Sequence, residues 1–106
     1  ILPTSSKSAD YTAVAADSGK LLLHPAADAN TRTFTIPANA SVAYPVGTAI
    51  TFVNETSQVL SIAITSDTLT LAGTTTTGTR SLAQNGVATA LKVTTTKWVI
   101  SGTGLT

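Results

Sequence analysis

The stretch Arg32 to Asn54, RTFTIPANASVAYPVGTAITFVN, constrains this chain more than any other, because two alternating segments there flank a connection punctuated by Pro37, Pro45 and Gly47. Thr33-Phe34-Thr35-Ile36 and Thr48-Ala49-Ile50-Thr51-Phe52-Val53 alternate small or Thr residues with large apolar ones, the period of strands with one buried face. Ile36, Val46, Ile50 and Phe52 read as core. Proline cannot donate to a ladder and glycine permits a turn, so the intervening residues are read as punctuation between sheets.

The same grammar continues on both sides. Tyr11 to Ala15 reads as a short strand, Asp17-Ser18-Gly19 as a tight turn, and Lys20 to His24 as a second strand forming a hairpin with the first. Val59 to Thr65 places Leu60, Ile62 and Ile64 on one face and is expected to form a hairpin with the strand before Asn54. Thr68 to Leu71 alternates again, the Gly73–Gly78 segment reads as a polar loop, and Thr79 to Ala83 as an edge strand. Asn85-Gly86 predicts a two-residue type I′ hairpin into Val87–Val93. Thr94 to Thr96 then turns the chain into Lys97–Ile100. No window carries apolar residues at helical spacing over three turns, and connections this short leave no room for crossover helices, so parallel pairing is not expected. The expected fold is all-β: an antiparallel β-sandwich or jelly-roll-like domain of about eight or nine short strands with almost no helix. Residues 11–106 form the single domain, preceded by an arm or linker over residues 1–10.

Composition narrows the function classes. The 106 residues carry six basic and five acidic side chains, a net charge of +1, which lacks the clustered basic face of a nucleic-acid partner. Only 10% of residues are charged against 42% hydrophobic, so part of the surface is expected to lie under another chain. Cysteine is absent, which excludes disulfides, thiolate metal sites and thiol nucleophiles. No apolar run reaches the roughly 18 residues of a membrane span, and membrane insertion is not expected. The start Ile-Leu-Pro-Thr is neither an initiator Met nor a signal peptide, and reads as the beginning of a C-terminal part of something longer.

No residue pattern proposes a reaction. His24 is the only histidine; a triad could be written with Asp17 or Asp28 and a serine, but no G-x-S-x-G marks a nucleophile. The acids Asp10, Asp17, Asp28, Glu55 and Asp67 are isolated and read as turn and cap residues. Trp98 and Tyr44 are weighed as a sugar platform, with core packing preferred for Trp98. Asn39-Ala40-Ser41 and Asn54-Glu55-Thr56 match the glycosylation acceptor pattern. Thr-x-Thr rows of the ice-binding type would need a fixed repeat, and none is present. Neither a metal nor a cofactor is expected, and an enzymatic role, that of a small glycan-active domain, ranks last behind structural and glycan-binding roles.

From about Ser6 to Thr106 the chain resembles a β-rich domain at the C-terminal end of tailed-bacteriophage virion proteins. The likeness is carried by Ala9-Asp10-Tyr11-Thr12 with Asp17-Ser18-Gly19-Lys20, by Phe34 to Thr48, by Arg80-Ser81-Leu82-Ala83, and by Trp98 to Gly104. The resemblance implies a virion surface component that assembles as a homo-oligomer, a trimer by preference, among other virion proteins. A tail fibre would present Asn54, Glu55, Thr56, Ser57 and Gln58, together with Thr74, Thr75, Thr76 and Thr77, to a bacterial surface glycan. A capsid decoration protein would instead use its flat Thr/Ala faces and the interface arm Ile1, Leu2 and Pro3.

Overall fold

The computed structural model describes all 106 residues as a nine-stranded, curled, mixed sheet with a single short helical turn at Ala15–Asp17. The strands are β1 (Thr4–Ser6), β2 (Tyr11–Thr12), β3 (Leu21–His24), β4 (Arg32–Ile36), β5 (Ala49–Asn54), β6 (Leu60–Ile64), β7 (Thr68–Leu71), β8 (Arg80–Thr94) and β9 (Lys97–Leu105). The all-β class, the strand number and the near absence of helix agree with the sequence. The pairing does not, since most of it is parallel.

Odd-numbered strands build one arm, β1-β3-β5, and even-numbered strands build another, β2-β4-β6, each parallel throughout. The chain therefore crosses from one arm to the other at every step, and each parallel connection is made by a strand of the opposite arm instead of by a helix. Successive offsets are unequal: Thr4 aligns with Leu21 and Leu21 with Thr51, while Tyr11 aligns with Phe34 and Phe34 with Ile62. Hence the winding leaves no repeat in the sequence. β8 joins the arms, pairing antiparallel with β6 through Arg80–Leu82 and with β5 through Gly86–Leu91. β9 runs antiparallel beside β8 and carries β7 parallel on its outer side.

Three expected hairpins are corrected by this topology. Tyr11–Thr12 pairs with β4, not with β3; β5 and β6 do not touch as a ladder because both belong to β8; and Asn85-Gly86 lies inside β8. Asn85 does adopt the left-handed conformation that its type tolerates, with φ 59°, but there it kinks a continuing strand where the β8–β9 register slips. The turn at Thr95-Thr96 between β8 and β9 forms as read.

Alternation explains the interior. Leu22, Phe34, Ile36, Ile50, Phe52, Leu60, Ile62, Leu69, Leu82, Ala88, Ala90, Trp98 and Ile100 all point into one core drawn from every strand from β3 to β9. Phe34 of one arm meets Phe52 of the other with ring centroids 6.5 Å apart, so the arms face each other across the core. Full burial of such side chains contributes about 1.5–3 kcal/mol each. Val46, expected in the core, is exposed: it sits in a run of turns between Pro37 and Thr48, where no ladder enforces inward alternation. Part of the expected arm is also in the sheet, since residues 4–6 form β1.

Gly102 on β9 faces Ala88 on β8 so closely that an added Cβ would lie 2.0 Å from the Val87 carbonyl oxygen and 2.6 Å from the Ala88 Cα. Both obstacles are backbone and cannot swing aside. Gly102→Ala is expected to lower stability by about 1–3 kcal/mol, read as a lower urea midpoint at unchanged slope. An unchanged midpoint would mean that the two strands are further apart than described.

Candidate functional site

The residues singled out for surface contact do not share one environment. Glu55, Ser57 and Gln58 are exposed, but Asn54 and Thr56 are buried and are corrected accordingly. Asn54 has the same parity as Ile50 and Phe52 along β5 and so points inward, where its Nδ2 donates to the carbonyls of Gln58 (2.8 Å) and Leu82 (3.0 Å). That bonding ties the β5–β6 connection to β8 and removes Asn54 as a folded-state glycosylation acceptor. Thr74 to Thr77 are all exposed, with Thr74 Oγ1 donating to the Leu71 carbonyl at 2.9 Å. No hydrogen bond links this loop to residues 54–58. Ile1, Leu2 and Pro3 stand exposed beyond β1.

His24 and Asp28, written above as members of a conceivable triad, do meet: His24 Nε2 lies 2.8 Å from Asp28 Oδ2. Asp28 also accepts from Arg32 Nε (2.9 Å), Arg32 Nη2 (3.2 Å) and Asn30 Nδ2 (2.6 Å). No serine completes the set, because His24 Nδ1 is buried without a hydrogen-bond partner. The cluster instead fastens the end of β3 to the start of β4, one strand from each arm. The Arg32 guanidinium, then the Asn30 and His24 bonds, hold the Asp28 carboxyl well below the usual carboxylate range, and Asp28 in turn raises Arg32.

Other acids also reach beyond their own turns. Asp17 accepts from the Tyr11 hydroxyl and from the Val14 N–H (2.9 Å), Asp10 from the Thr33 N–H (3.0 Å), and Asp67 from the Asn39 N–H (2.8 Å). Burial, with Asp17 adding to it, pushes the Tyr11 and Tyr44 hydroxyls up from 10.0 to about 12. Tyr44 packs edge-on against Trp98 at 5.6 Å and both are buried, so neither offers a sugar platform. No three His, Asp or Glu side chains converge, and the surface holds no pocket.

Two features escaped the sequence reading. One is Lys92, which is 1% exposed and whose Nζ donates to Asn39 Oδ1 at 2.6 Å and to the Tyr44 carbonyl at 2.8 Å. Its parity with Ala88 and Ala90 was the available signal. The other is the outer face of β1-β3-β5-β8-β9, where aligned residues form the rows Thr4, Leu21, Thr51, Thr89, Ser101 and Ser6, Leu23, Val53, Val87, Thr103. A third, shorter row holds Ala49, Leu91 and Val99. None of these residues is charged, and Val87 and Leu91 are 47% and 43% exposed. The corresponding outer rows of the other arm are mostly Thr and Ser: Thr12, Thr35, Ala63 and Thr33, Ser61, Ser81. The chain matches no protein-family model, no curated protein and no solved structure.

Two pH effects follow from these bonds. Because the Asp28 carboxyl is lower in the folded chain than its ordinary value of about 3.9, its contribution is present above that value and fades as pH falls below it. The difference in urea midpoint between wild type and Asp28→Asn is expected to narrow from about pH 5 to pH 2; a constant gap would contradict the assignment. The tyrosines run the other way: their raised values mean stability is intact below pH 10.0 and drains as pH rises toward about 12. Absorbance at the phenolate band should show both tyrosines ionising late, together with loss of the fold.

Proposed function

We propose that this domain is a non-enzymatic structural component of a bacteriophage virion, a tail-fibre or other surface-appendage β module working as a homo-oligomer, preferably a trimer. The observation that carries the reading is the uncharged, partly apolar face over five adjacent strands. At about 4.8 Å per strand it is roughly 20 Å wide. Contiguous apolar patches of a few hundred Å² commonly mark interaction sites, and small Thr, Ser and Ala side chains lose little rotamer freedom when covered. The motif likeness described above supplies the virion setting. Glu55, Ser57, Gln58 and Thr74–Thr77 are the exposed positions left for contact with a bacterial surface glycan.

One observation favours a capsid decoration role as the second reading. Leu2, about half exposed, lies just before β1 at the edge of the same face, where it is placed to pack on a neighbouring subunit. In both readings the face is an interface, and the partner distinguishes them: copies of itself in a fibre, head subunits in a decoration protein.

Sedimentation velocity tests the assembly. The wild-type chain is expected to self-associate, and Leu91→Lys, which places an ammonium on an exposed apolar position of the face, is expected to weaken association by at least about tenfold, or 1.4 kcal/mol. A wild type that remains monomeric at every concentration would sink the fibre reading. Binding of that monomer to capsids lacking it would then favour the decoration role.

A further inference from the structure

Lys92 and Asn39 stand 53 residues apart in sequence with the amine of one on the carboxamide of the other. The Nζ–Oδ1 distance of 2.6 Å, combined with a C=O bond of about 1.23 Å and ordinary hydrogen-bond angles, puts Nζ roughly 3–4 Å from the Asn39 carbonyl carbon. That overlaps the separation of about 3–3.5 Å at which bound groups react. Both partners are held in place. The Lys92 N–H donates to the Thr48 carbonyl (2.9 Å) and its carbonyl accepts from Gly47 (2.8 Å), while the Asn39 N–H is fixed on Asp67. Lys92 is 1% exposed, and both hydrogen-bond acceptors of its amine, the Asn39 carboxamide oxygen and the Tyr44 carbonyl, are uncharged oxygens.

We propose that Lys92 and Asn39 are a modification site: they join spontaneously as an intramolecular isopeptide bond. The Nζ lone pair attacks Cγ of Asn39 and the carbonyl electron pair shifts to Oδ1. Collapse of the adduct restores the carbonyl and breaks the Cγ–Nδ2 bond. One proton passes from Nζ to the departing nitrogen, so amine and carboxamide become a secondary amide and ammonia. If the amine begins as ammonium, ammonium leaves. Nothing is oxidised or reduced. The bond would tie β8 covalently to the turns between β4 and β5, and it depends on this local geometry whether or not the domain belongs to a virion.

Intact-mass spectrometry of the purified chain decides the matter. The wild type is expected to be lighter than its sequence by one ammonia, with a digest yielding a branched peptide that joins the Asn39 and Lys92 segments and no cleavage after Lys92. Lys92→Arg keeps the charge without the reactive amine and should return to full sequence mass. A wild type at full sequence mass overturns the proposal. So does an ammonia loss that fragmentation places at Asn85-Gly86, where a succinimide would give the same mass change.

Discussion

Everything in this fold depends on β8 being one strand that serves two arms. Each arm is a short parallel ladder whose inner edge would otherwise expose unpaired N–H and C=O groups, an arrangement that folded chains avoid. β8 pairs with β6 along its first residues and with β5 along its later ones, while β9 runs beside both stretches. A straight strand could not follow both arms. The kink at Asn85, together with the missing side chain at Gly86, where a Cβ would lie 2.6 Å from Leu82 Cδ1, lets the strand change direction without a break in the core.

Polar side chains carry out the joins that ladders cannot make. The Asp28 cluster binds β3 to β4 across the arms, Asn54 binds the β5–β6 connection to β8, and Lys92 holds the turns after Pro37. Each is buried or nearly so, and leaving such a group unpaired costs about 1–3 kcal/mol. These costs make the joins specific: a shifted register would strand several donors and acceptors at once.

The sequence read well for what a strand is and poorly for what it sits beside. Period-2 alternation reports which face is buried, so the core positions of β4, β5, β6 and β9 were legible, Trp98 among them. It says nothing about the neighbour, and the default of pairing consecutive strands put β5 against β6 when β8 separates them. Asn-Gly signalled a left-handed residue correctly and a reversal incorrectly, because a bulge and a type I′ turn both use that conformation. Among site residues, polarity was taken for exposure. Asn54 had inward parity all along, and the chemistry of its side chain obscured the geometry of the strand; Lys92, never singled out, carried the same signal. An uncharged face was expected but its place was not legible, since its rows are assembled from five segments that only the topology aligns.

The alternate winding of the two arms also bears on how the chain comes to be folded. No strand finds its partner in the next segment except β8 and β9, so ladders close over long separations, such as Ala49 with Leu91. Pairings of this kind require loop entropy to be lost before contacts repay it, and they make for slow, cooperative folding. The strand that unites the arms follows all six of the strands that it joins. During synthesis the earlier strands therefore wait as two incomplete ladders with open edges, and a chain cut short before Arg80 has nothing to join them.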